Sequence, residues 1–176
     1  MYLTGEEEKI LKGEEGPGMA LAMELLVKIG DVFDADRLIP VKLAHWGLSG
    51  QEGDLAFAEE LAAGGATVKV PTTTNPAWDH DLVKEFNADL SEYEMSLLKR
   101  TYEVCDKLKV TKSFSCIPMF GIEDKVKIGD HLAFSESSTP PYLNSILGAR
   151  TNRESSASAL AAGITGKTPN YGLHLD

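Results

Sequence analysis

Four clusters of polar residues carry the chemistry that this sequence offers. The first is Ala44-His45-Trp46-Gly47-Leu48-Ser49-Gly50. His45 and Ser49 supply polar groups, and the glycines let the backbone approach a ligand; a generic strand-to-helix loop has the same composition. The second is Pro71-Thr72-Thr73-Thr74-Asn75-Pro76. Hydroxyls and an amide held between two prolines suit a phosphate or a carboxylate, and a turn with a helix cap explains them nearly as well. The third is Phe114-Ser115-Cys116-Ile117-Pro118. A thiolate at Cys116 can ligate iron or act as a nucleophile, and a buried inert thiol fits the same residues. The fourth and densest is Glu136-Ser137-Ser138, then Asn144-Ser145, then Gly148-Ala149-Arg150-Thr151-Asn152-Arg153-Glu154. Arginine forks bind carboxylate or phosphate in bidentate fashion. A helix start near Ser155 adds N–H donors and a favourable dipole. Surface ion pairing by Arg150 and Arg153 is the alternative.

These clusters need elements to position them. Thr4 and Glu7 have capping-box spacing at the head of a short helix. Gly16-Pro17-Gly18 breaks the chain before a helix over Met19 to Ile29. Ile39, Val41 and Leu43 alternate as in a strand. Asp54 to Ala63 reads as a helix stopped by Gly64-Gly65. Ala66 to Val70 reads as a short strand running into the polar loop from Pro71 to Pro76. A long helix covers Ser91 to about Leu108, with Ser91 and Glu94 as a second capping box. Phe114 to Cys116 and His131 to Phe134 read as strands. Helices close the chain at Pro141 to Leu147 and Ser155 to Ile164. Alternating strands and helices imply an α/β fold with a mostly parallel sheet. Ligands then sit at the carboxyl ends of its strands.

The composition bounds the function. With 176 residues the chain has room for one domain or two small ones, and 43% hydrophobic residues with 25% charged is ordinary for a globule. Lys plus Arg number 17 against 27 Asp plus Glu, a formal charge of −10. That disfavours nonspecific binding to nucleic acid or an anionic membrane. No apolar run reaches the ~20 residues of a membrane span, and the first residues lack the pattern of a signal peptide. With two cysteines, a cytoplasmic, reducing setting is expected. Cys105, inside the long helix, reads as inert. His80, His131 and His174 are scattered without metal-ligand spacing. No P-loop, GxGxxG, GxSxG or HExxH occurs.

MYLTGEEEKILKGEEG, SFSCIP, AFSESS and NSILGARTNRESSASALAAGITGKTP together resemble the large subunit of aconitase X, a hydro-lyase branch of the aconitase superfamily. The resemblance runs along the whole chain, and ESS followed by NSxLGARTNRE is its most specific part. It implies an aconitase-like three-layer α/β/α fold, with residues 1–176 as an N-terminal α/β region and an incomplete part of a larger fold. The family's branches act on cis-3-hydroxy-L-proline or, in two-subunit enzymes, on mevalonate 5-phosphate, and SALAAGITGKTP looks more like the second. It implies an iron–sulfur cluster with one open iron. Cys116 matches its first cluster cysteine, and Thr72, Thr73 and Asn75 match its substrate loop. Glu136, Ser137, Ser138, Arg150, Asn152 and Arg153 match its substrate-facing motifs, with Asn144 beside them. His45 and Ser49 fall in its early loop, where WGLSGQEG departs from the pattern, as Thr139-Pro140-Pro141-Tyr142 does later. The family's large subunits are more than twice this length. The other cluster cysteines and a small swivelling subunit are therefore implied outside this chain, which is expected not to complete a cluster alone. A non-catalytic anion-binding module that has lost the cluster is the other reading, and a purely structural fragment a third.

Overall fold

The computed structural model describes residues 1–48, 52–75, 85 and 89–175. Ser49, Gly50, Pro76 and His80 lie outside the described residues. The elements run α1 (Gly5–Leu11), α2 (Pro17–Val32), β1 (Leu38–Pro40), β2 (Leu43–Gly47), α3 (Glu52–Ala63), β3 (Thr72–Asn75), α4 (Glu92–Leu108), β4 (Leu132–Phe134), α5 (Thr139–Ser145), α6 (Ser156–Thr165) and β5 (Lys167–Pro169). Single 3₁₀ turns stand at Glu123–Lys125 and Gly172–His174.

Both capping boxes form. Thr4 Oγ1 accepts from Glu7 N–H while Glu7 Oε2 accepts from Thr4 N–H, and Ser91 pairs with Glu94 in the same way. Each satisfies orphan donors of the first turn. Burial alone would raise the pKa of Glu7. Hydrogen bonds from Lys167 and Thr4 outweigh it and hold the carboxyl below its usual value.

The strands differ from the sequence reading in three places. Ala66 to Val70 forms no strand: Val68 N–H bonds Leu108 O, and Lys69 and Val70 N–H bond Gly163 O. Those bonds tie two helix ends together. The strand forms instead at Thr72–Asn75, where β-branched threonines suit a pleated surface. Phe114 to Cys116 is also irregular, because Phe114 adopts a φ of 47° and turns the chain. Thr111 bridges to Thr73 in its place. The alternating stretch from Ile39 to Leu43 divides in two. β1 pairs antiparallel with β5, and β2 joins the main sheet.

That sheet has the order β3-β2-β4 and is parallel throughout. Isolated bridges add Thr111 beside β3, and Arg150 and Arg153 beside β4. Side chains alternate between its faces. On one face Ala44 and Ala133 meet Ala162 of α6. Trp46 enters an apolar cluster with Met23, Leu26, Leu55, Leu61, Leu108, Leu160 and Ile164. On the other face Leu43, Leu132 and Phe134 pack with Met119, Val126 and Leu143. Helices α2, α3, α4 and α6 thus form one layer. α5 and the chain around the 3₁₀ turn at Glu123–Lys125 form the layer opposite, which is the three-layer arrangement. Arg100 of α4 locks onto α3 through Glu52 and Glu59, at 2.6–2.9 Å. No described helix is long and apolar enough to cross a membrane.

Helix α6 comes close to the sheet because its inner residues are small. A Cβ at Gly163 would lie 2.6 Å from Thr72 Oγ1 and 3.4 Å from Ala44 Cβ. Gly163→Ala is therefore expected to destabilise the chain by about 1–3 kcal/mol through overpacking. Urea unfolding at pH 7 measures it, and an unchanged midpoint would mean that α6 shifts at no cost.

His174 gives a second test. It is 2% exposed. Burial, reinforced by His131 and Arg150, pushes its pKa down from 6.5 to about 4. The unfolded state therefore binds the proton more tightly. Stability is complete above pH ~6.5 and falls as pH drops toward ~4, by on the order of 3 kcal/mol for this group. Unfolding free energies of wild type and His174→Gln between pH 7 and 4 should show a shallower fall in the variant. Parallel curves would assign the acid sensitivity elsewhere.

Candidate functional site

Parallel pairing brings the carboxyl ends of β2, β3 and β4 to one edge. His45 sits in register with Thr73 on one side and Phe134 on the other. Its Nδ1 lies 2.7 Å from Thr73 Oγ1, and its ring stacks on Phe134 with centroids 5.8 Å apart. Two residues on, Gly47 is in register with Asn75. Asn75 Nδ2 donates to Glu136 Oε1 at 2.6 Å and to Cys116 Sγ at 3.1 Å. The amide of Asn75, the thiol of Cys116 and the carboxylate of Glu136 therefore form one hydrogen-bonded group, with the imidazole of His45 beside it.

Backbone bonds fix this group from below. Ser135 Oγ accepts from Gly47 N–H at 2.6 Å and donates to His45 O at 2.9 Å. Thr139 Oγ1 donates to Glu136 O at 2.6 Å, and Ser138 Oγ donates to Cys116 O at 3.4 Å. Ser113 Oγ donates to Thr74 O at 2.9 Å, which ties the Cys116 segment to β3.

His45 is fully buried, and that burial pushes its pKa down to about 4. The ring is neutral at pH 7, with one nitrogen donating and the other accepting. Its Nε2 has no hydrogen-bond partner among the described residues and lies 3.9 Å from Glu136 Oε1. A neutral imidazole beside a carboxylate can pass or receive a proton. Cys116 is exposed, and its sulfur already accepts an N–H. A thiolate that ligates a metal is oriented by such a bond. Among the described residues no three His, Cys, Asp or Glu side chains converge to hold a metal ion. At this edge the described residues present one exposed thiol, Cys116. Cys105 is buried, and its thiol is pushed up to about 12 by burial, as an inert core thiol would be.

The structure sorts the residues singled out in the sequence. His45, Thr73, Asn75, Cys116, Glu136 and Ser138 come together. Ser137 and Arg153 are exposed; Ser137 follows β4, and Arg153 bridges beside the last residue of that strand. Thr72 points the other way, against Gly163, and its hydroxyl donates to Val70 O. Asn144 closes a loop through both Thr151 N–H and Thr151 O. Asn152 holds Tyr171 O and Leu173 N–H. Arg150 pairs beside His131, before β4 begins, and donates to His174 O. Ser49 lies outside the described residues. Ser135 and Thr139 escaped the sequence reading. Each is one hydroxyl among many in the stretch from Ser135 to Thr139, and nothing in the pattern marks which of them hold backbone.

The chain is similar along its length to known proteins. A family model described as aconitase X first domain matches residues 1–176. The phosphomevalonate dehydratase large subunit of Thermococcus kodakarensis is 48% identical over 180 residues, covering all of this chain and 44% of that protein. The corresponding subunit of Methanocaldococcus jannaschii is 43% identical over 183 residues, again at 100% and 44% coverage. A cis-3-hydroxy-L-proline dehydratase of Pseudomonas aeruginosa is 32% identical over 183 residues, covering 99% of this chain and 30% of that protein. The crystal structure of Thermococcus kodakaraensis aconitase X in its holo-form superimposes with a TM-score of 0.87 at 44% identity, covering the whole of this chain and 44% of the other. The chain spans less than half the length of the phosphomevalonate dehydratase subunits it matches. Matched from end to end by the first-domain model, and so similar to these relatives, this chain belongs to the aconitase X family.

Proposed function

We propose that this chain is the N-terminal α/β region of the large subunit of an iron–sulfur hydro-lyase that removes water from a small hydroxy acid, mevalonate 5-phosphate. The observation that carries the proposal is the joining of Cys116 and Glu136 through one Asn75 amide at the carboxyl edge of the sheet. Ligands of open α/β sheets bind at that edge. Identity supports this substrate: 48% and 43% to phosphomevalonate dehydratase large subunits, against 32% to the cis-3-hydroxy-L-proline enzyme.

In this reading Cys116 is one thiolate ligand of the cluster. The other ligands come from the remaining part of the large subunit, and a small swivel subunit closes the site. The bound cluster supplies an open iron, a Lewis acid for the leaving hydroxyl. Glu136 takes up the proton from the neighbouring carbon, and the C–H electron pair becomes the new double bond as hydroxyl departs. Neutral His45 lies close enough to receive that proton after a small movement of the Glu136 carboxylate. Among the described residues, Arg153, Ser137 and Ser138 are groups near this edge that can grip anionic oxygens. A cytoplasmic setting fits an oxidation-sensitive cluster.

The test is the native complex purified anaerobically, with intact mass, iron and sulfide measured on one sample. A co-purifying polypeptide, bound iron and sulfide, and faster dehydration of mevalonate 5-phosphate than of cis-3-hydroxy-L-proline are expected. Glu136→Gln should lower kcat by about 10²–10⁴-fold, and Cys116→Ser should lose iron. A lone 19.1 kDa species without iron or turnover would overturn the proposal and leave an anion-binding module.

A further inference from the structure

Away from the carboxyl edge, before β4 begins, two imidazoles meet. His131 Nδ1 lies 3.1 Å from His174 Nδ1, and the ring centroids are 5.2 Å apart. In an N–H···N bond one nitrogen carries the hydrogen and the other is bare. The second nitrogen of His174, Nε2, is buried with no hydrogen-bond partner among the described residues. A proton there would leave a buried N–H without an acceptor, which folded chains avoid. The proton of His174 therefore sits on Nδ1 and is donated to a bare Nδ1 of His131. The two rings differ in their access to water. His174 is buried, whereas His131 is half-buried and lines an open surface pocket with Pro40, Val41, Lys42, Gly129 and Asp130.

The pair fastens the 3₁₀ turn at Gly172–His174. Other ties of that turn do not titrate near neutral pH: Arg150 Nη1 donates to His174 O at 3.2 Å, and Asn152 Oδ1 accepts from Leu173 N–H at 2.8 Å. The charged groups around the pair are Arg150, in register with His131, and Lys42 and Asp130, which border the same pocket and pair with each other at 2.7 Å.

We propose that this contact is a proton-operated latch: a proton taken from water by His131 Nδ1 releases the His174 ring and with it the turn at Gly172–His174. The nitrogen that accepts from His174 is the one that binds the proton. Once protonated it is a donor, and it faces the His174 Nδ1–H as donor against donor. Moving the His174 proton to Nε2 would restore the bond only by leaving a buried N–H without an acceptor. The new charge also stands beside the Arg150 cation. Imidazoles change charge within about pH 5–8. Burial keeps His174 itself neutral down to about pH 4, so the opening of the latch precedes the titration of His174 as pH falls.

Two measurements on this chain test the latch. At pH 7, ¹⁵N spectra of the imidazoles should show hydrogen on His174 Nδ1 and none on His131 Nδ1. Hydrogen on His174 Nε2 would overturn the proposal. Amide hydrogen exchange, corrected for the intrinsic effect of pH, should show the protection of Leu173, His174 and Leu175 falling about tenfold between pH 7 and 5, the size of one lost hydrogen bond. Amides of α2 should keep their protection. His131→Gln offers His174 Nδ1 an acceptor that does not titrate, and should hold the protection of the turn constant over the same range. Protection that stays level in wild type, or falls equally in His131→Gln, would overturn the latch. Should the variant fail to fold, the two wild-type measurements decide alone.

Discussion

The parallel register of β2 with its two neighbours is the constraint on which the rest depends. Side chains alternate along a strand, so register decides what faces what. In the observed register His45 meets Thr73 and Phe134, and Gly47 meets Asn75. A slip of one residue would turn Trp46 toward the site and His45 toward the helices. Trp46 is held against that by its buried ring and by Nε1 donating to Ser156 Oγ at 3.0 Å. The chemistry on one face of the sheet is thus secured by the packing on the other.

That packing uses small residues where backbones must come close. α6 carries Ala159, Ala161, Ala162 and Gly163, all buried, and lies near enough to Thr72 that a single methyl at Gly163 would collide. The same device appears where α2 starts beside the end of α3. A Cβ at Gly18 would lie 2.2 Å from Leu61 O, and Gly18 N–H bonds Gly64 O at 3.1 Å. Close approach there leaves the large residues, Met23, Leu26, Leu61 and Leu160, to fill one apolar cluster. The sheet is short, and this helix layer supplies much of its support.

The distribution of positive charge is the less expected feature. Of the arginines that the sequence gathers near α6, Arg150 is taken up before β4 by His174 O, beside the contact of half-buried His131 with buried His174. Arg153 stays at the carboxyl edge, exposed. In a chain of net charge −10, it is a cation that the described residues keep at the carboxyl ends of the strands.

The sequence by itself determined the local elements and the family resemblance. Capping boxes at Thr4 and Ser91, the glycine stop after Ala63 and the short strand ending at Phe134 are written in contiguous residues, because a cap or a turn is satisfied within a few positions. The motifs around Cys116 and Glu136 were legible for the same reason. Tertiary structure alone decided which polar residues meet. Thr72 and Thr73 are neighbours in sequence with identical side chains, yet one packs under α6 and the other bonds His45, because a strand sends successive side chains to opposite faces. Asn144, Arg150 and Asn152 look like ligand binders in the sequence but satisfy backbone groups of loops that would otherwise be left unpaired. Cys116 and Glu136 stand 41 and 61 residues beyond Asn75, and no local pattern records that one amide joins them. Only the pairing of β2 with β3 and β4 brings them to the same edge.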